Sequence, residues 1–332
     1  SDILVIGGSS MKDFVREFIG KIPALDHAER VTVKAALEGV DDYQKVCDLI
    51  ESIQDENPHC PHCGKTRVHR HGKKAGLQRY KCTGCSKTFN ALTHTPLARM
   101  RKKELWLSYM DLMLGSWVLR DIRDILPIDL KTAFLWRHHF STWLSKDTPR
   151  QLEGIVEADE TYFRKSKKGD KHLQRKAHKR GGDNSPRGLS KKQVCVLTAC
   201  DRSDHSLEFI TGLGPVKGVW LDHTLSKWIA WDAVFVTDGQ PAYKHFCEHE
   251  HINHIIVMNK RGKRTSGPYH IQHINAFHGR IKTWINDHFK GVATKYLNHY
   301  LWWRHELENK HISTGTELFK VSIGKIPHLT GT

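Results

Sequence analysis

Apolar residues recur at intervals of three and four along the first part of the chain, which is the period of an amphipathic helix. The stretches MKDFVREFIGKI and ERVTVKAALEGVDDYQKVCDLIESIQ both show this period, so a helical N-terminal segment is predicted over residues 11–56. This segment could be a small helical packing unit or a dedicated binding module, and the pattern favours the packing unit. Residues 1–10 (SDILVIGGSS) precede Met11 and are interpreted as a cloning remnant.

Three more amphipathic stretches follow between residues 101 and 146. Pro127 ends the second stretch, and Asp129 is expected to cap the helix formed by the third. A short helix, a tight turn and a longer helix are typical of a helix-turn-helix, which we assign to residues 96–148. An ordinary helical bundle has the same apolar periodicity and is the alternative to a helix-turn-helix. The third helix is expected to pack through Phe134, Leu135, Phe140 and Trp143 and to contact DNA through Lys131, Arg137 and His138.

The pattern changes after residue 152, where short strand-like runs alternate with helical ones. The predicted order is three strands, a helix, a strand, a helix, a strand and a long helix. This is the element order of the RNase H-like fold. We therefore predict an α/β RNase H-like catalytic domain over residues 152–312 and a C-terminal tail over residues 313–332. The expected fold class is multidomain α+β, with a helical N-terminus, a small cysteine-bearing module and a helix-turn-helix before this domain.

The chain of 332 residues has a formal net charge of +16 and a pI of about 9.5. Such an excess favours nucleic acid as a partner, with an anionic membrane as the weaker possibility. No apolar run approaches the ~18 residues that a membrane span requires, so no membrane partner and no signal peptide are predicted.

Much of the positive charge lies in one insertion, residues 164–192, between the first two predicted strands. It holds twelve Lys or Arg residues and two Asp residues, a net charge of +10. A solvated, disordered insertion and a DNA-clamping loop that orders on binding both fit, and the clamp is favoured. The residues expected to contact DNA are Lys165, Lys167, Lys168, Lys171, Arg175, Lys176, Lys179 and Arg180.

Four of the eight cysteines are paired by spacing. Cys60 and Cys63 form one CxxC, Cys82 and Cys85 form another, and 18 residues lie between the pairs. This spacing is typical of four-cysteine zinc sites, and a shell of four thiolates makes the zinc structural. A zinc ribbon is therefore predicted over residues 57–95. The other four cysteines are scattered, which indicates a reducing compartment rather than a disulfide framework.

Two aspartates lie at the ends of predicted strands: Asp159 in GIVEADETYF and Asp238 in AVFVTDGQPAY. Carboxylates on neighbouring strands can share Mg²⁺ ions, and a two-metal site of this kind breaks phosphodiesters. Alternation along the first strand puts Glu157 on the face of Asp159 and Glu160 on the other face. A third polar position, Asn275, lies on the long helix, seven residues before Lys282 on the same face.

Taken in order, these motifs resemble bacterial insertion-sequence transposases of the ISXO type, which carry a zinc ribbon before a DDE-type domain. The resemblance runs from CPHCG and YKC through DETYF and TDG to INAFHGRIKTW and YLNHYLWWRHELE, roughly residues 58–310. It implies the Asp-Asp-Asn-Lys variant of the DDE site. The implied catalytic residues are Asp159, Asp238, Asn275 and Lys282, of which the first three would hold two Mg²⁺ ions, with Mn²⁺ as a substitute.

The expected function is that of a DNA transposase, which binds the terminal inverted repeats of its element, cleaves the 3′ ends and joins them to target DNA. The expected partners are double-stranded DNA and further copies of the chain, as a homodimer or higher oligomer. The expected location is the bacterial cytoplasm, at the nucleoid. Two alternatives are a catalytically inactive DNA-binding regulator, which the Asn at the third position would support, and a nuclease acting on RNA–DNA hybrids.

Overall fold

The computed structural model describes residues 17, 19–52, 58–144, 151–174, 176, 188, 190–203, 205–257, 265–309 and 312–324. The predicted remnant over residues 1–10 and the predicted DNA contacts Arg175, Lys179 and Arg180 lie outside this range. The chain divides into two compact units. The first comprises Ser1–Arg137 with Thr314–Thr332, and the second comprises His138–Ser313. Within the described residues, none of the helices has the length and apolar character needed to cross a bilayer.

The first unit begins with a long helix, α1 (His27–Ser52), after a short 3₁₀ turn at Ile22–Ala24. A reciprocal capping box opens α1. The backbone N–H of Glu29 donates to Asp26 Oδ1 at 2.8 Å, and the backbone N–H of Asp26 donates to Glu29 Oε2 at 2.9 Å. The helix coincides with the second of the two apolar-periodic stretches in the N-terminal segment.

A small antiparallel sheet follows, with strand order β1–β2–β3. The strands are β1 (Val68–Lys74), β2 (Leu77–Cys82) and β3 (Thr88–Phe89). Ala75 and Gly76 connect β1 to β2 with φ values of 51° and 79°, the paired left-handed conformation of a tight hairpin turn. The rings of Tyr80 and Phe89 stack across β2 and β3 with centroids 5.6 Å apart. The sheet carries the two CxxC pairs at its ends.

Three helices lie where the sequence predicts them: α2 (Trp106–Leu114), α3 (Leu119–Ile125) and α4 (Leu130–Leu144). Asp129 caps α4 as expected, because its Oδ1 accepts the backbone N–H of Thr132 at 2.8 Å and its Oδ2 accepts the Thr132 hydroxyl at 2.8 Å. These hydrogen bonds stabilise the charged carboxylate and lower the pKa of Asp129. A 3₁₀ turn at Lys103–Leu105 precedes α2.

The predicted C-terminal tail contains a helix, α9 (Gly315–Gly324), and this helix packs on α2 within the first unit. Its apolar side chains Leu318, Phe319 and Ile323 are fully buried. Gly315 donates its backbone N–H to Asp111 Oδ1 at 2.6 Å, and a Cβ at this position would lie 2.4 Å from the Asp111 nitrogen. The apolar spacing of this helix can be read in GTELFKVSIG, whereas the close approach of Gly315 to Asp111 is seen only in the structure. The segment is therefore not a structureless tail.

The second unit is built on a five-stranded sheet of order β6–β5–β4–β7–β8. The first three strands pair antiparallel, whereas β7 pairs parallel with both β4 and β8. The central strand β4 is buried on both faces over most of its length. The strands are β4 (Ile155–Arg164), β5 (Gln193–Cys200), β6 (Ser206–Leu213), β7 (Val234–Thr237) and β8 (Asn253–Ile256), followed by a small hairpin of β9 (Thr265–Ser266) and β10 (Tyr269–His270).

Helices cover both faces of this sheet. On one face, α5 (Gly218–Leu225) and α6 (Pro241–Glu250) share a core with apolar side chains of β4, β5 and β7. On the other face, α7 (Gln272–Lys282) packs on β4 and β5, and α8 (Leu297–Asn309) packs on β6. A π-helical segment, Thr283–His288, continues α7, and 3₁₀ turns occur at Ser226–Trp228 and Thr294–Tyr296. Apart from the β9–β10 hairpin, which the sequence does not predict, the order of strands and helices from β4 to α7 is the predicted one.

Candidate metal centres and nucleic-acid contacts

Asp159 lies on β4, and Asp238 directly follows β7, the parallel neighbour of β4. Glu157 on β4 pairs with Val236 on β7, so Asp159 and Asp238 each lie two residues beyond a matched pair. Parallel neighbours in a sheet are about 4.8 Å apart, which brings the two carboxylates within reach of shared cations. Asp159 is 19% exposed and accepts the backbone N–H of Glu160 at 2.8 Å, while Asp238 is exposed and accepts that of Gln240 at 3.1 Å.

Helix α7 presents a polar face to Asp159. His278 Nδ1 lies 3.7 Å from Asp159 Oδ2, and the charge of Lys282 acts on the same carboxylate. Asn275 is seven residues before Lys282 and so shares that face of the helix. Its amide Nδ2 donates to the Ile271 carbonyl at 2.8 Å, so the other amide atom, Oδ1, can act as an acceptor or ligand.

Burial dominates the electrostatics of the site. Burial raises the pKa of Asp159 to about 6; the Glu160 amide opposes this rise, the charge of Asp238 adds to it, and Lys282 opposes it. Burial, with a further contribution from Lys282, lowers the pKa of His278 to about 3, so this imidazole is neutral and supplies no counter-charge. Two adjacent carboxylates, one of them largely buried, are the donor set that a divalent cation favours. The oxygen donors present therefore fit Mg²⁺ or Mn²⁺.

Glu160 points away from Asp159, as strand alternation predicts. Its Oε2 accepts Gln240 Nε2 at 2.8 Å on the α6 side of the sheet. Burial raises the pKa of Glu160 to about 7; the nearby Tyr243 hydroxyl opposes this rise, and the charges of Asp159 and Asp238 add to it. Glu160 thus lies behind the two aspartates as a buried, readily protonated carboxyl group.

The four paired cysteines converge at the end of the small sheet. Their sulfurs all lie within 4.8 Å of one another, with Sγ–Sγ distances of 3.7 Å for Cys60–Cys85 and 3.6 Å for Cys63–Cys82. A tetrahedral zinc with Zn–S bonds of ~2.3 Å separates its sulfurs by about 3.8 Å. Both knuckles turn through a left-handed residue, Gly64 or Ser86, whose N–H returns to the carbonyl of the first cysteine of its pair. The thiolates therefore fit zinc in position as well as in spacing.

The residues expected to read DNA from α4 have different surroundings. Lys131 is exposed. Arg137, however, is 1% exposed and donates through Nη2 to the Trp117 carbonyl. His138 is also buried, stacked on Tyr296 with ring centroids 3.8 Å apart. Helix periodicity alone could not separate these faces, and the structure leaves only Lys131 of the three on the surface.

The packing predicted for α4 differs at one position. Phe140 is fully buried and Phe134 partly buried, as expected, but Leu135 is 41% exposed. The side chain of Trp143 lies outside the described residues. Leu135 therefore faces solvent where the sequence indicates core, while Arg137, two residues later, faces inward.

The start of the basic insertion is anchored to the domain. Lys168, expected to contact DNA, donates through Nζ to three backbone carbonyls, those of Phe289, Lys290 and Gly291, at 3.1, 3.2 and 2.7 Å. The same segment is hydrogen-bonded to the chain that follows the π-helical segment. The backbone N–H of Ser166 donates to the Thr294 hydroxyl, and the backbone N–H of Thr294 donates to the Ser166 carbonyl. Lys168 therefore has a structural role at the carbonyl end of the π-helical segment.

A cleft of about 440 Å³ lies between this segment and the loop after the π-helical segment. Its lining includes the predicted DNA contacts Lys165 and Lys167 and, from the opposite side, Lys290. These three lysines are exposed, as are Lys171 and Lys176. The cleft is thus a basic, partly enclosed surface at the far end of β4.

The sequence places Glu157 on the face of Asp159 but gives no indication of its partners. Glu157 is 1% exposed and contacts Arg202, His270 and His273. Arg202 lies in the turn after β5, and the two histidines lie at the β10–α7 junction. Spacing alone could not connect these positions, although the HIQH run before Asn275 places two histidines three residues apart.

Acidic residues on β4 and after β7, facing a helix with Asn275 and Lys282, define a candidate phosphodiester-processing centre in an α/β domain. Residues 151–303, just under half of the chain, match the ISXO2-like transposase domain family. The chain is also 25% identical, over 263 residues, to an uncharacterized protein in transposable element ISH50 of Halobacterium salinarum, covering 78% of this chain and 88% of that protein. Both matches support an ISXO-type transposase.

A solved structure with a weaker likeness is the crystal structure of a pre-cleavage Mos1 transpososome. The sequence identity is 12% and the TM-score is 0.22, with 65% of this chain covered. The chain spans 63% of the length of that protein, and a TM-score this low supports no structural conclusion.

Proposed function

We propose that this transposase binds the terminal inverted repeats of its element and catalyses metal-dependent cleavage at the 3′ ends and strand transfer into target DNA. The observation that carries the proposal is the convergence of Asp159, Asp238 and the polar face of α7 on one end of a sheet whose strand order is that of RNase H-like enzymes. The ISXO2-like family of residues 151–303 supports the same reaction class.

Each residue of the site has a distinct part. Asp159, Asp238 and the Asn275 amide oxygen would hold two Mg²⁺ ions, which supply an activated water or 3′ hydroxyl and stabilise the leaving oxygen. Lys282 lies on the face of α7 that Asp159 meets, so its ammonium can contact a phosphate or protonate the leaving group. The neutral His278 fills the space between α7 and β4.

The DNA duplex would be held outside this centre. The zinc ribbon, Lys131 on α4 and the exposed lysines of the basic cleft are the surfaces that carry this part of the proposal. Lysines of this kind bind the phosphate backbone without reading sequence. Since two element ends must be joined, we propose that the active form on DNA is a homodimer or a higher oligomer.

The test is incubation of the purified protein with labelled element-end DNA, with and without Mg²⁺ or Mn²⁺. We expect nicking and joining only with metal, and a loss of roughly 10³-fold, equivalent to ~4 kcal/mol of transition-state stabilisation, for Asp159→Asn and Asp238→Asn. DNA binding should be retained in both variants. Asp232→Asn, an exposed carboxylate before β7, is the matched control and should cleave normally. Binding of the ends without any cleavage by the wild-type protein would instead support the inactive regulator.

A further inference from the structure

We propose that Glu157 is a positioning residue: its buried carboxylate tethers the first turn of α7 to β4 and thereby sets Asn275 and Lys282 against Asp159. The inference rests on the proposed function, because it concerns the same site. It assigns a role to a carboxylate that lies beside the candidate metal ligands and faces no solvent.

Helix α7 begins with little local capping. Its N-cap residue, Ile271, makes no side-chain cap, its first turn contains no acidic residue, and one first-turn N–H, that of Gln272, donates to His270 Nδ1 at 3.3 Å. Helices leave their first N–H groups unsatisfied and favour negative charge at this end. Glu157, on β4, supplies both an acceptor and a negative charge at this end of α7, because its Oε2 accepts the backbone N–H of Ile274 at 3.2 Å.

The other carboxylate oxygen of Glu157 makes several further contacts. Glu157 Oε1 lies 3.1 Å from His273 Nδ1 and 3.0 Å from Arg202 Nη2. Arg202 in turn reaches His270 Nε2 through Nη1 at 2.9 Å. One carboxylate, 1% exposed, thus connects β4, the turn after β5 and the β10–α7 junction.

Glu157, His270 and His273 have ligand atoms within 4.8 Å of one another, a spacing that a metal could also use. The Arg202 guanidinium, however, already lies on Oε1 and supplies the positive charge that a metal would bring. We therefore interpret the group as an ion-paired clamp.

The clamp also lies close to a candidate metal ligand along the strand. Glu157 and Asp159 lie on the same face of β4, two residues apart, which is ~7 Å along a strand. Ile274, the residue held by Glu157, immediately precedes Asn275. One strand therefore fixes a candidate metal ligand and, through Glu157, the helix that carries the third. Sites of this type require their groups within about 0.5 Å of the productive geometry.

The test compares Glu157→Ala, Glu157→Gln and a matched control in the full-length protein. The control is Glu208→Gln on β6, another buried carboxylate, which accepts hydrogen bonds from His305 at 2.9 Å and Ser206 at 2.6 Å on a strand that does not adjoin β4. Mn²⁺ binding is followed by electron paramagnetic resonance, the Mg²⁺ needed for half-maximal nicking is measured, and thermal unfolding is recorded for each variant.

We expect Glu157→Ala to weaken Mn²⁺ binding and raise the Mg²⁺ requirement by about 10–100-fold, the usual effect of removing a partner of metal ligands. Glu157→Gln should lose less, because its amide oxygen can still accept the Ile274 N–H. Glu208→Gln should lower the unfolding temperature and leave both metal measurements unchanged.

The inference is overturned if the Glu157 variants bind Mn²⁺ as the wild type does while their stability falls like that of Glu208→Gln. If Glu157→Ala does not fold, Glu157→Gln decides the question by the same comparison. The proposed function fails separately: a wild-type protein that binds Mn²⁺ and loses this binding in Glu157→Ala, yet never nicks element ends, would retain the clamp and refute the reaction.

Discussion

The four-cysteine ribbon (residues 57–95) and the carboxylate site are both candidate metal centres, but they are assembled in opposite ways. In the ribbon, two local knuckles bring four sulfurs within 4.8 Å, and the core around them consists of Cys60, Cys82 and Phe89 with three partly buried side chains. At the carboxylate site, Asp159, Asp238 and α7 come from distant parts of the chain and are brought together by the register of a large sheet.

The difference shows where the free energy for each site comes from. A core as small as that of the ribbon is expected to need metal for folding. The second unit has an extensive core on one face of its sheet and is expected to fold without metal. Zinc should therefore determine structure in one region, and Mg²⁺ should determine activity in the other.

The largest expected effect is the loss of zinc and of folding in the ribbon. Cys60→Ser removes one thiolate, and structural zinc in small zinc-dependent peptides contributes roughly 10–16 kcal/mol of apparent binding free energy. We expect the bound zinc, measured by atomic emission, to fall from one equivalent to near zero and the ribbon to unfold. Mn²⁺ binding at the carboxylate site should be unchanged.

The matched control is Cys247→Ser, which changes a buried cysteine on α6 in the second unit. This variant protein should keep one equivalent of zinc in the ribbon. Loss of Mn²⁺ binding in Cys60→Ser would contradict the separation of the two metal centres.

A smaller effect is expected from Asn275. Asn275→Asp adds a negative charge to the site, and divalent-ion affinity increases with ligand charge, so the Mn²⁺ dissociation constant should fall about 10-fold. Asn275→Ala should raise it by a similar factor. Titration of Mn²⁺ by electron paramagnetic resonance measures both changes.

The control for the added charge is Asn253→Asp, at the exposed start of β8, which should bind Mn²⁺ as the wild type does. If Asn275→Ala and the wild type have the same affinity, Asn275 positions the phosphate and does not touch metal.

The smallest expected effects are on protein stability and on the salt dependence of DNA binding, and they distinguish two neighbouring lysines in the basic segment after β4. Lys168→Met loses three hydrogen bonds to carbonyls and should destabilise the protein by about 1 kcal/mol, because these partly exposed bonds are charge-assisted but solvent-screened. Lys167→Met should leave stability unchanged and reduce the slope of log affinity against log salt by about 1. Thermal unfolding and DNA-binding titrations over a range of salt measure the two effects. Equal salt slopes for Lys167→Met and the wild type would remove Lys167 from the proposed DNA surface.

The sequence predicts those features that depend on short spacings. The CxxC pairs, the Asp129 cap and the alternation of Glu157, Asp159 and Glu160 along β4 all appear in the structure where the sequence puts them. Each depends on residues a few positions apart, for which strand and helix periods apply directly.

The features that sequence analysis misses depend on which face of an element turns inward. The inward position of Arg137 and the three carbonyl contacts of Lys168 are set by tertiary packing, and a basic side chain gives no sign of it in the sequence. The partners of Glu157 come from β5 and from the β10–α7 junction, and only the folded sheet brings them to β4.

Helix α9 has a consequence for how the protein is made. Because Gly315–Gly324 packs on α2, the first unit is discontinuous, and residues 138–313 form an insertion between its two parts. During synthesis, the second unit is therefore complete before the first can close. A ribosome that stops before residue 314 would release a chain with an intact insertion and an exposed apolar surface on α2. Such a product should be a substrate for chaperones and proteases.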